Sequence, residues 1–186
     1  MGLARAGFSA TICQDPQGIL DASHLIVPGV GAFADCVRNL DARHLLTPIC
    51  NAIRSGKPYL GICLGLQILF TEGMEFGSHP GLNVVPGQVV RFPEGALKVP
   101  HMGWNQVRIE KPHPVLEGIP DGAHFYFVHS YYPQPTDDAW VTTTTEYGLR
   151  FTSTIGRDHL FGCQFHPEKS QGVGRTLLGN FARLKG

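Results

Sequence analysis

The chain has 186 residues, 42% of them hydrophobic and 10% aromatic, with fifteen basic and fifteen acidic side chains and a formal net charge of zero. That length suits a single domain over residues 1–186 with a core that needs no disulfide or metal staple, and the composition excludes a disordered chain. Zero net charge excludes the basic excess of a nucleic-acid or membrane-surface protein, and no apolar run approaches the ~20 residues of a membrane span.

In chain order, residues 23–27 read as a short strand that breaks at Pro28-Gly29-Val30-Gly31. Residues 32–40 read as a helix with Phe33, Val37 and Leu40 on one face. Thr47-Pro48 predicts a helix start with Thr47 as N-cap, running to Ser55 and stopped by Gly56. Residues 59–62 form an apolar strand. Residues 64–71 are apolar on nearly every side and predict a buried helix. Strand-like pieces follow at 84–85, 88–92, 105–109, 124–129 and 140–145, then a last strand at 159–165 and a terminal helix at 173–184. Strand–helix alternation with a β-rich insertion predicts an α/β fold: an open, mostly parallel sheet with helices on both faces.

The five cysteines, Cys13, Cys36, Cys50, Cys63 and Cys163, show no paired spacing, which suits reduced thiols in a cytoplasmic protein. There is no CxxC or HExxH and the nine histidines are scattered, so no metal site is expected. The start has no signal-peptide pattern. Charged residues, at 16%, are fewer than the usual ~25%. That points either to buried helices or to a surface covered by a partner.

Gly61-Ile62-Cys63-Leu64-Gly65 stands at a strand–helix junction in the pattern G-x-C-x-G, the cysteine form of a nucleophile elbow. A thiol lifted there sits at a helix N-terminus, which favours thiolate, and the Leu64 N–H points where an oxyanion would form. The alternative for a lone cysteine is a small buried hydrophobe. A thiolate nucleophile needs an oriented histidine. In Phe165-His166-Pro167-Glu168-Lys169 the proline forces His166 into extended backbone, so His166 and Glu168 face one side and Glu168 can orient and charge the imidazole. The alternative is a solvated strand end. The pair works only if the strand ends after Ile62 and Phe165 lie side by side, as at the carboxyl edge of an α/β sheet.

With these segments go Pro28-Gly29-Val30-Gly31-Ala32-Phe33, Pro100-His101-Met102-Gly103-Trp104-Asn105, Phe127-Val128-His129-Ser130-Tyr131 and Gly162-Cys163-Gln164-Phe165-His166-Pro167-Glu168-Lys169-Ser170. Together they resemble the class I (triad-type) glutamine amidotransferases, and most narrowly the glutaminase subunits of imidazole glycerol phosphate synthase. The elbow and HPE segments are shared by the whole class, whereas the PHMGWN and HPEKS forms are narrower. The resemblance implies that Cys63 attacks the glutamine side-chain amide, that His166 and Glu168 complete the triad, and that backbone N–H groups of Leu64 and of Val30-Gly31 hold the oxyanion. It implies that Gln67, Glu75, Ser130 and Tyr131 bind the substrate; for Glu75 a solvated loop carboxylate is the alternative. It implies no cofactor, and as partner a cyclase subunit in a heterodimer that makes imidazole glycerol phosphate and an aminoimidazole carboxamide ribotide in histidine biosynthesis. Met102, Trp104, Tyr126 and Lys169 match interface or gate positions. Trp104 in the core and Lys169 as a plain solvated charge are the alternatives. His129 is left as a packed polar residue at a strand end.

Members of that family open with a hydrophobic strand, a glycine-containing turn and a helix. Here residues 1–8 read as the tail of such a helix and residues 8–13 as the second strand, so the sheet is expected without the first strand. Two other readings compete: a glutaminase serving another synthase, which should lack the Pro100–Asn105 form, and a non-catalytic module, against which the intact triad speaks.

Overall fold

The computed structural model describes residues 7–95 and 97–185. Six strands form the main sheet, in the spatial order β1 (Leu25–Gly29), β2 (Tyr59–Cys63), β12 (Leu160–Cys163), β11 (Arg150–Arg157), β10 (Val141–Glu146) and β7 (Arg108–Ile109). The pairs β1–β2 and β2–β12 are parallel, and the remaining three are antiparallel. A second sheet holds β4 (His79–Pro80), β3 (Phe70–Gly73), β5 (Val85–Arg91) and β9 (Tyr131–Pro135), and β6 (His101–Gln106) pairs with β8 (His124–His129) as a ribbon.

Every residue of β2 is buried, and its side chains are shared between two apolar clusters. Leu60 and Ile62 face one, with Phe125, Phe161 and Phe165 and with Leu177, Leu178 and Phe181 of helix α5 (Gln171–Arg183). Tyr59 faces the other, with Phe33 of helix α2 (Phe33–Ala42) and Ile49 and Ile53 of helix α3 (Leu46–Arg54). A strand that loses water on both faces needs helices on both, and this one has them. The short helix α1 (Pro16–Asp21) carries a start signal in plain view, Asp15 capping Gly18 N–H at 2.9 Å ahead of Pro16, which the sequence reading passed over.

Several expectations are corrected. Residues 8–13 are not a strand: they lie mostly at the surface, with Ile12 87% exposed. β1 and β2 bond directly in register from Leu25↔Tyr59 to Gly29↔Cys63, so residues 8–13 are not inserted between them, and they pair with no described strand. Among the described residues β1 is the sheet's edge. The helical tail expected at the start falls mainly on residues 1–6, outside the described residues. Thr47 is not the cap of α3. The first i→i−4 bond runs from Ile49 N–H to the carbonyl of buried Leu45 at 3.0 Å, so burial draws the start back. The buried helix expected over 64–71 is only one turn, α4 (Leu64–Gln67), before the chain extends into β3. There Ile68 O accepts from Leu82 N–H at 2.7 Å and Leu69 O from Val84 and Val85. A run apolar on every side satisfies a buried strand as well as a buried helix. The expected strand at 105–109 is split: Asn105 ends up inside β6, and only Arg108 and Ile109 join the main sheet, as β7.

Candidate active site

Cys63 closes β2 and caps α4 with φ 54° and ψ −107°, left-handed backbone that an L-residue rarely adopts. The strain is held in place by close packing. A Cβ on Gly61 would strike the Gly65 carbonyl, and one on Gly65 would strike Val27 O, so α4 is pressed against β1 and β2 with no room for a side chain at either glycine. Tyr59, fully buried, donates its hydroxyl to Gly65 O at 2.9 Å and ties the elbow to the strand beneath it. The elbow's one-turn helix brings the backbone of Leu64 in directly after the thiol.

The second half of the site lies on the adjacent parallel strand. β12 pairs with β2 in register Gly162↔Gly61 and Cys163↔Ile62, which sets the residues after Cys163 beside Cys63. His166 is extended, φ −104° and ψ 93°, and its Nδ1 lies 2.8 Å from Glu168 Oε1. The turn that carries them is bolted to β8: His166 N–H donates to Tyr126 O at 2.8 Å, and Ser170 Oγ links His166 O (2.7 Å) to Tyr126 N–H (3.0 Å). His166 Nε2 is buried without an aligned hydrogen bond, free to meet a substrate. Burial pulls the His166 pKa down, but the neighbouring Cys63 sulfur and the Glu168 carboxylate outweigh it and raise the pKa to about 9. Burial works upward on Glu168, and its imidazole partner outweighs that and lowers it. The arrangement suits a thiolate–imidazolium pair with the imidazole oriented by a carboxylate.

Because Gly29 is the register partner of Cys63, Val30 and Gly31 leave the sheet at the same edge as the elbow, exposed to solvent. Gln67 is buried beneath Cys63; its Nε2 donates to Tyr131 O and to Gln164 Oε1, both at 3.0 Å. Tyr131 opposes Arg91 in β5–β9, and the neighbouring pair is the bonded one, Phe92 N–H to Ser130 O at 3.0 Å. Alternation along an antiparallel ladder therefore turns the Tyr131 backbone groups away from β5, toward Gln67. Glu75, expected at the substrate, has a partner within the fold: its Oε2 accepts the Phe33 N–H at 2.7 Å.

Met102 and Trp104 are 62% and 47% exposed, so Trp104 is not a core residue. Trp104 opposes Tyr126 across the β6–β8 ribbon, ring centres 6.1 Å apart, and Lys169 Nζ lies 5.7 Å over the Tyr126 ring. All four residues share one surface at the rim of the site. Two residues that sequence reasoning passed over belong to the site. Gln164 donates Nε2 to Cys63 Sγ at 3.5 Å, and its signal was a lone amide in an apolar strand. His129, left without a role, donates toward Tyr131 O at 2.8 Å.

No helix among the described residues is long and apolar enough to cross a membrane. The family model for class-I glutamine amidotransferases matches residues 8–183. Solved structures of the same fold include a glutamine amidotransferase with a TM-score of 0.76 at 19% identity, covering 98% of this chain and 89% of that one. Another is PurLQS from Thermotoga maritima, with a TM-score of 0.66 at 17% identity, covering 88% and 80%. Among relatives, the imidazole glycerol phosphate synthase subunit HisH of Geobacter sulfurreducens is 48% identical over 99% of this chain and 91% of its own length. The HisH subunit of Syntrophotalea carbinolica is 50% identical over 98% and 92%, and that of Moorella thermoacetica 51% over 98% and 86%. Matched along nearly its whole length, the chain belongs to the class-I glutamine amidotransferases and, within them, to the family of the HisH subunits of imidazole glycerol phosphate synthase.

Proposed function

We propose that this chain is the glutaminase subunit of an imidazole glycerol phosphate synthase, hydrolysing glutamine and delivering ammonia to a cyclase subunit in histidine biosynthesis. One observation carries the chemistry: a strained cysteine at the end of β2 beside a His166–Glu168 pair at the end of the next parallel strand. The Cys63 sulfur attacks the side-chain carbonyl carbon of glutamine. The tetrahedral oxyanion takes hydrogen bonds from the backbone N–H of Leu64 and of the Val30-Gly31 turn. The C–N bond breaks as His166 gives its proton to the departing ammonia, leaving a glutamyl thioester. Water then attacks the thioester and passes a proton to the imidazole; glutamate leaves and the thiolate returns. Glu168 holds the imidazole in place and stabilises its charged form.

Hydrogen-bond accounting narrows the substrate contacts. Gln67 spends both amide hydrogens on Tyr131 O and Gln164 Oε1, which leaves its own Oε1 to accept from a substrate donor. Tyr131 O takes hydrogens from Gln67 and His129, so both its lone pairs are used and its N–H is the group left for substrate. Ser130 contributes through the backbone beside it. Ammonia leaves toward the rim marked by Met102, Trp104, Tyr126 and Lys169, where the cyclase docks and makes imidazole glycerol phosphate and the aminoimidazole carboxamide ribotide. A cytoplasmic setting is supported by five cysteines that are all free.

The test is Cys63→Ala in complex with the cyclase. Glutamine-dependent synthesis should vanish while synthesis from free ammonia continues. Appreciable glutamine hydrolysis by the variant overturns the reading.

A further inference from the structure

Gln164 is fully buried, two residues before His166 and across the β2–β12 pair from Cys63. We propose that Gln164 is a catalytic residue whose amide N–H steadies the Cys63 thiolate, held in orientation by a hydrogen-bonded chain through Gln67, the Tyr131 carbonyl, His129 and His101 to Asn105 on the strand that carries Met102 and Trp104. The proposal rests on the reading of Cys63 as nucleophile.

The direction of every bond follows from one group. Tyr131 O can only accept, so His129 Nδ1, 2.8 Å away, carries the hydrogen. A neutral His129 then offers a bare Nε2, and His101 Nδ1, 3.1 Å from it, must donate. His101 Nε2 is left as an acceptor for Asn105 Nδ2 at 3.2 Å, and that amide also donates to Glu146 O at 2.9 Å. On the other side the same carbonyl requires Gln67 Nε2 to be a donor. Its second hydrogen goes to Gln164 Oε1, so Gln164 Nε2 is the group that faces sulfur, at 3.5 Å. Turning any one amide over, or moving either ring's hydrogen to its other nitrogen, leaves groups opposed donor to donor or acceptor to acceptor, which the dry surroundings penalise. Burial also lowers the pKa of both histidines, to about 4 for His101 and about 3 for His129, in keeping with neutral rings.

A donor aimed at sulfur favours the anion over the thiol, because a thiol is a weak acceptor and a thiolate a strong one. With Gln164 wholly shielded from solvent, no water replaces its N–H. Gln164 touches the reacting atom. His129 and His101 act through it and are positioning residues. The far end of the chain, Asn105, lies one residue beyond Trp104 on β6, so the strand that bears the rim residues also fixes the last link.

The test uses the full chain in complex with its cyclase. The rate of Cys63 alkylation by iodoacetamide is followed from about pH 5 to about pH 10, with the adduct located by mass spectrometry, beside kcat and KM for glutamine. Gln164→Leu is expected to move the alkylation midpoint up by about one pH unit and to lower kcat about tenfold, with KM within about twofold. His129→Phe keeps a ring among its aromatic neighbours but removes both nitrogens, and is expected to shift the midpoint the same way by less. A folded Gln164→Leu with the wild-type profile and kcat overturns the proposal. Should that variant not fold, an unshifted profile and kcat in His129→Phe overturns it. Glutamine hydrolysis surviving in Cys63→Ala overturns the underlying site reading instead, so the two failures are distinct.

Discussion

Glu75 Oε2 accepts the backbone N–H of Phe33 at 2.7 Å, across a separation of 42 residues. Helix α2 starts at Phe33 with Ala32 in the cap position, and alanine has no side-chain oxygen to offer. Glu75 supplies the missing acceptor and places negative charge at a helix N-terminus. It thereby pins the turn of residues 28–32, which carries the proposed oxyanion donors. Glu75→Ala is expected to cost about 1 kcal/mol, a Tm decrease of about 2–4 °C, together with a lower kcat. Glu75→Gln keeps an acceptor for Phe33 and loses only the charge. If the carboxylate also binds the substrate ammonium, the glutamine variant raises KM at near-normal Tm. A KM unchanged in Glu75→Gln confines Glu75 to capping. Thermal melts and glutamine saturation curves on the two variants decide it.

The elbow makes a sharper prediction. A methyl group on Gly65 has to enter the space of Val27 O, a backbone atom that cannot swing aside. Overpacking of this kind costs about 1–3 kcal/mol even where side chains can adjust, against a total of about 5–15 kcal/mol. Gly65→Ala is therefore expected to lower Tm by roughly 10 °C or more, or to yield no soluble protein. A normal melt would mean that α4 can lift from β1 without loss, and that the strain at Cys63 is not held by this packing.

Local signals in the sequence were enough for the elbow backbone at Cys63 and the facing of His166 and Glu168, and topology explains what they left out. The elbow glycines and the proline after His166 act on their own neighbours, so the backbone at Cys63 and His166 follows from a few adjacent residues. That the two segments meet follows from the parallel pairing of β2 with β12, about a hundred residues apart in sequence, and was reached through the general rule for strand ends in α/β sheets. The fate of residues 64–71 was not legible, because periodicity is mute when every side is apolar. Bonds from 82–85 decided it. Residues 8–13 have strand-like composition yet pair with no described strand, and β1 bonds on one side only, so their fate is a fact about the sheet's edge rather than about those six residues. Gln164 and His129 were missed for a related reason: a buried amide or imidazole declares its role only through the partners folded against it.

Stability should fall on both sides of about pH 6.5, for opposite reasons. His101 and His129 have folded pKa values of about 4 and about 3, chiefly through burial, both below the 6.5 of a free histidine. The unfolded chain therefore takes up protons first as pH drops. Their stabilising contribution is full above pH 6.5 and is lost as pH falls toward 4, by up to about 3 kcal/mol for His101. His166, raised to about 9 by its two partners against burial, contributes fully below pH 6.5 and loses that as pH rises through 9. Melts of the wild type, of a His101→Phe, His129→Phe double variant and of His166→Ala separate the limbs. The double variant should flatten the acid side and His166→Ala the alkaline side. An acid limb unchanged in the double variant would show that these rings do not set it.

The rim residues give the last prediction. Trp104 is 47% exposed and Met102 62%, with Tyr126 and Lys169 against the same surface. A half-exposed tryptophan contributes little to folding, because truncating it leaves no cavity in the core, so Trp104→Ala should change stability by no more than about 0.5 kcal/mol. Large aromatic side chains standing in solvent on a monomer are nevertheless costly to keep, and at protein interfaces tryptophan is the residue most enriched among binding anchors. If this rim seats the cyclase, Trp104→Ala removes about 2 kcal/mol of binding, which is at least a tenfold rise in Kd. Lys169→Met keeps the stem against Tyr126 and removes the charge, so it should weaken binding less but alter its salt dependence. Titration calorimetry of each variant against the cyclase, with melts of the isolated chain as the folding control, measures both quantities. A Trp104→Ala protein that melts normally and binds with the wild-type Kd places the docking surface elsewhere on the molecule.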